Sequence, residues 1–132
     1  MAQEQSIVRS GWLKTLQGVF AAVAMFCLVA PAAAQSLREM RAQEAEEATL
    51  RREAAFTEQL CGISFDVSID WRSFADWPEG AAIARACDRG LSEIETSCRR
   101  GETPRLSRFV CTGDGSGAGY SGGAMTYGAS PN

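Results

Sequence analysis

Cys61, Cys87, Cys98 and Cys111 are the residues most able to do chemistry in this chain, at successive spacings of 26, 11 and 13. No C-x-x-C pair occurs, so a thiol redox site and a zinc knuckle both lack local support. The 132 residues include no histidine, which removes Ser-His-Asp and Cys-His catalysis, histidine-bearing zinc sites and the usual switch between about pH 5 and 8. Four cysteines of irregular spacing read instead as two disulfides in a chain that matures in an oxidising space.

Other residue types offer less. Asp66 and Asp70 fall on one face of an extended segment, about 13 Å apart, too far for paired glycosidase carboxylates. A solvated sheet face suits them better. Asp114 sits among glycines without the repeated oxygen ligands of a calcium loop. Trp71, Phe74 and Trp77 cluster in the sequence and suit either an aromatic platform for a partner or the cap of a small core. Seven glycines between Gly113 and Gly128 imitate a phosphate-binding loop. No helix follows them, however, and no lysine lies beyond Lys14 to serve a P-loop. With no nucleophile–base pair and no ligand cluster, the expectation is a non-enzyme without metal or cofactor.

The amino-terminal 34 residues read as an export signal. Arg9 and Lys14 form a basic start, Gly18 to Ala30 is an apolar run, and Pro31 precedes Ala32-Ala33-Ala34, a small-residue site for cleavage after Ala34. Pro31 and Gln17 weaken the alternative of a spanning anchor, which needs roughly 20 apolar residues. Phe26 before Cys27 speaks against a lipoprotein signal. Removing this segment takes away Cys27, Arg9, Lys14 and Glu4, leaving four cysteines, 11 arginines and 15 carboxylates, a net charge of -4. A periplasmic or secreted location follows, without stable membrane insertion and without nucleic acid as a partner.

The elements that must position these residues are legible in part. Residues 35–60 are strong helix formers with a thin apolar face (Leu37, Met40, Ala48, Ala55, Phe56), which predicts a polar helical arm packing only near Phe56 and Leu60. Ile63 to Trp71 alternates without fault and predicts a half-buried strand. Asp76-Trp77-Pro78-Glu79 resembles a helix start. Ile83, Cys87, Leu91, Ile94 and Cys98 then recur on one helical face to about residue 100, Gly101 suits a left-handed cap, and Gly90 allows close approach to a sheet. Leu106 to Thr112 reads as a strand, Gly113 to Gly117 as a turn, and Tyr120 to Tyr127 as a strand returning in a hairpin.

Helix geometry then selects the cysteine pairs. Cys87 and Cys98 lie about 16 Å apart along one helix, beyond the roughly 7 Å reach of a disulfide. A right-handed β-α-β crossover puts the helix end beside the first strand's start, and the helix start beside the second strand's end. Cys61–Cys98 and Cys87–Cys111 are therefore the predicted bonds. The fold class is α+β: a small disulfide-stapled β-α-β-β domain over 61–132, one helix on a short mixed sheet, preceded by a polar N-terminal helix.

Ser116 to Gly123 (SGAGYSGG) resembles the S-G-A-R-Y-S-D-G signature of the small periplasmic inhibitors of c-type lysozyme, compact β-barrels that push this loop into the enzyme's cleft. The resemblance covers eight residues, has Gly119 where that family carries a basic residue, and transfers no functional residue. A non-catalytic binding module is the leading expectation, with Trp71, Trp77, Asp66, Asp70 and Tyr120 as its candidate surface and a periplasmic protein as its partner. The alternatives are an inhibitor or immunity-type protein aimed at a cell-wall hydrolase, and an envelope-associated structural protein.

Overall fold

Strong helix formers give α1, residues 36–61, in the computed structural model, which describes residues 36–131. The expected signal at 1–34 lies outside the described residues. From Ala42 onward the chain forms one compact unit. It contains strand β1 (Asp66–Ile69), a 3₁₀ turn (Trp71–Phe74), helix α2 (Ile83–Arg99), and strands β2 (Arg108–Thr112), β3 (Gly117–Ser121) and β4 (Ala124–Gly128). The strands make one mixed sheet in the order β1-β2-β4-β3. β1, β2 and β4 run parallel, and β3 is antiparallel to β4. This is a small α+β fold, and α2 and α1 contribute with one sheet face to a shared core.

The core follows from the two periodicities. Phe65 and Ile69 of the first strand region, Phe109 and Cys111 of β2, and Met125 of β4 turn to one face and are buried. Against them α2 sets Ala84, Cys87, Leu91 and Ile94. Both disulfides join the predicted partners: Cys61–Cys98 across 37 residues and Cys87–Cys111 across 24, with Cα separations of 5.4 and 5.7 Å. Gly90 lies where α2 crosses the sheet. A Cβ there would stand 2.5 Å from Tyr127 Cγ and 3.0 Å from Phe109 Cε2. Gly90→Ala gains about 1 kcal/mol of helix propensity but forces an overlap that costs more in a packed core. The expected net result is a loss of about 1–2 kcal/mol, read from the urea midpoint. A stabilised variant would show that α2 does not press on β4 here.

Several expectations are corrected. α1 does not pack through Phe56 and Leu60, which are 52% and 39% exposed; its buried residues are Leu50, Ala54 and Thr57. From Ala42 onward α1 belongs to the same compact unit as the sheet. The buried stripe is hard to see in the sequence because polar side chains complete it. Thr57 Oγ1 donates to Glu95 Oε1 at 2.8 Å, Trp71 Nε1–H to Glu47 Oε1 at 2.8 Å, and the Ala84 N–H to Glu46 Oε2 at 2.7 Å.

That last bond explains a second correction. α2 begins at Ile83 rather than near Trp77, because Gly80 takes a φ of 76° and its flanking residues form a turn closed by the Ala81 N–H on Pro78 O. Its N-cap, Ala82, has no side chain to accept the orphan N–H groups, and Glu46 of α1 does so across the fold. At the other end Gly101 has a φ of 84°, and the Glu102 N–H reaches back to Ser97 O, as predicted for a glycine-terminated helix.

β1 is shorter than its alternating pattern. β2 begins at Arg108, opposite Asp66, so residues 63–65 have no neighbouring strand although their sides still alternate in burial. The C-terminal third also differs. Gly113 to Ser116 does not fold β3 back beside β2; it carries the chain to the sheet edge. The two-residue loop is Gly122–Gly123, with φ of 56° and 78°, the positive pair that a tight hairpin of this hand requires. β4 then takes the seat between β2 and β3. The SGAGYSGG segment thus builds an edge strand and hairpin turn of a mixed sheet, not a barrel loop.

Candidate functional site: the C-terminal hairpin

The structure separates the residues proposed as a binding surface. Trp71 and Trp77 form the flanks of an aromatic cluster around buried Phe74, with ring centroids 6.3 and 4.8 Å from it. Both indole N–H groups are used internally, Trp71 on Glu47 and Trp77 on Gly113 O at 2.9 Å. The cluster caps the core and ties it to the loop after β2, where the Gly113 N–H also donates to Ser73 Oγ at 2.8 Å. Asp66 and Asp70 are exposed at β1, one edge of the sheet. Tyr120 lies on β3, the other edge, with two strands between. Shallow clefts touch two of the five residues separately. One of about 420 Å³ is bounded by Trp77, Arg85 and Ser130, and one of about 470 Å³ by Arg51, Glu58 and Asp66.

Among the three aromatic residues, Tyr120 is the one left available. It is 60% exposed, and β3 around it is open to solvent. Its neighbours Ala118, Gly119 and Ser121 are small and uncharged, so backbone as well as phenol is accessible. Partial burial first, then the charge of Glu93 on α2, hold the phenol above its usual ionisation range. The loop that leads into β3 is pre-set by Asp114. Its Oδ1 accepts from Ser116 Oγ at 2.7 Å, from the Ser116 N–H at 3.1 Å and from Thr112 Oγ1 at 3.1 Å. These bonds, Ser116's first, draw its carboxyl below the ordinary range. Sequence reading set Asp114 aside as a calcium ligand and placed it in a turn. Its spacing to Ser116 is the signal of a turn in which the side chain stands in for a backbone carbonyl.

A second group escaped sequence reading altogether. Asp88 of α2 sits with Glu53 and Glu95 between the helices, and burial, then these two carboxylates, hold its own carboxyl above the usual value of 3.8. The folded state therefore binds the Asp88 proton more tightly than the unfolded chain does. This contribution favours folding at low pH and is lost as pH climbs from the unfolded value through the raised folded one. Asp88→Asn is expected to stabilise the protein near neutral pH and to lose that advantage by about pH 3, measured by urea unfolding at both. An equal gain at both pH values would remove the carboxylate cluster as its cause. Among the described residues no three side chains form a metal-binding group, and every buried side-chain polar atom has a hydrogen-bond partner.

Comparison with known proteins finds no matching family model, no matching curated protein and no matching solved structure. The chain is defined by its fold and covalent framework: a small α+β protein stapled by two disulfides.

Proposed function

We propose that this is an exported, non-catalytic binding module whose interaction surface is the β3–β4 hairpin. The observation that carries the reading is β3 itself, an uncharged, solvent-open edge strand bearing the exposed Tyr120 on a framework in which the indole N–H groups of Trp71 and Trp77 are already used. Two disulfides support maturation in an oxidising compartment, and among the described residues no helix is long and apolar enough to cross a membrane. A tyrosine on a rigid, small-residue strand gives a partner large contact area at low entropic cost. The partner on this reading is a protein chain.

The test is a photo-crosslinking residue introduced at Tyr120 in the native host, with Asp66 as the control position. Trapping of a protein chain from position 120 and not from 66 is the expected outcome. No adduct at 120 would overturn the reading.

A further inference from the structure

β3 has a neighbour on one side only. Which of its backbone groups are free follows from the bonds around β4. The Arg108 N–H donates to Gly123 O at 3.4 Å and the Ala129 N–H to Thr112 O at 2.7 Å, so Gly123, Met125, Tyr127 and Ala129 turn their backbone groups toward β2. Alternation turns Ala124, Thr126 and Gly128 toward β3, opposite Ser121, Gly119 and Gly117. Ala118 and Tyr120 are then the residues whose N–H and C=O groups point away from the sheet, one on each side of Gly119.

We propose that β3 pairs antiparallel with β3 of a second copy about a two-fold axis at Gly119. The proposal rests on the hairpin reading above and names its partner. In this register Ala118 of each copy faces Tyr120 of the other, and every such pair exchanges two backbone hydrogen bonds, which satisfies all the outward groups of both residues. The side chains agree with it. Each phenol lies over the other copy's alanine methyl on the side facing α2, and on the opposite side glycine meets glycine with nothing to clash.

Charge separates the two edges of the sheet. β1 carries Asp66 with Asp70 just beyond it, so a self-paired β1 would bring carboxylates together. From Gly115 to the end of the sequence no residue is charged. Exposed edges are ordinarily blunted by lysine, proline or a bulge. β3 has no lysine and no proline, and its five residues pair with β4 in unbroken register. The contact is small, so the dimer is a weak and reversible one.

Sedimentation velocity of the disulfide-bonded protein over a concentration series, with amide exchange by NMR, tests this. A monomer–dimer equilibrium is expected, in which the Ala118 and Tyr120 amides gain protection with concentration while Gly119, bonded to β4, is protected throughout. Ala118→Pro removes only an outward donor, a change edge strands tolerate, and should weaken the dimer about tenfold. Gly119→Asp, where a Cβ meets only Thr126 O at 3.9 Å, sets two carboxylates face to face at the axis and should do the same. Gly119→Asn should not. A chain that stays monomeric, with Ala118 and Tyr120 amides exchanging freely at every concentration, overturns the proposal. If the crosslink at position 120 then holds a different protein, self-pairing falls and the hairpin reading stands; if it holds nothing, both fall.

Discussion

Replacing Cys87 and Cys111 together by alanine should cost about 3.5 kcal/mol, the chain entropy released when a bond closing a loop of this length is cut. The bond spans 24 residues, and both cysteines are fully buried where α2 meets β2. A unit of this size has a total stability of about 5–13 kcal/mol. One disulfide is thus a quarter or more of what keeps it folded. With a urea slope of about 1 kcal/mol/M, the midpoint should fall by about 3.5 M. Removing Cys61–Cys98 as well, which closes 37 residues, should bring the total loss to about 7 kcal/mol and abolish the cooperative transition. A midpoint shift of under 1 M for the first variant would mean that the bond constrains little.

Leu50→Ala should destabilise the protein by about 3 kcal/mol, and Phe56→Ala by less than about 1 kcal/mol. The contrast is the reverse of what residue size suggests. Leu50 is fully buried beneath α1, whereas Phe56, next to Thr57 in sequence but turned off the buried stripe, is 52% exposed. Truncating Leu50 leaves a cavity between α1 and α2 that neighbours held by disulfides and by the Thr57–Glu95 hydrogen bond cannot collapse to fill. Chemical denaturation of the two variants side by side reads this directly. Equal small effects would restore α1 to the solvated arm its composition suggests.

The difference between α1 and α2 shows where sequence was informative. α2 keeps its apolar residues at steps of three and four, and that stripe, with Cys87 and Cys98 on it, was enough to place the helix on the sheet and pair all four cysteines. α1 buries a stripe of the same geometry, but Glu46, Glu47 and Thr57 share it with Leu50 and Ala54, and a carboxylate that accepts from an indole or a backbone N–H has no distinguishing mark in the sequence. The start of α2 was misplaced for the same reason: its cap comes from Glu46, 38 residues away. In the hairpin the local pattern was ambiguous in a different way. Two glycine clusters could each turn the chain, and only the burial of Met125 and the crowding at Gly90 decide that β4, not β3, lies beside β2. Tyr120 stood among the candidates in the sequence, and the core-cap reading of Trp71 and Trp77 could not show what their indoles bind, because those partners lie 24 and 36 residues off.

The seating of β4 between β2 and β3 has a consequence for truncated chains. β4 is the most C-terminal of the described strands yet lies in the interior of the sheet, so a polypeptide cut before Met125 lacks a middle strand and leaves β2 without one neighbour. Such a product has no complete sheet to form and remains a substrate for proteases, so the topology itself penalises loss of the hairpin.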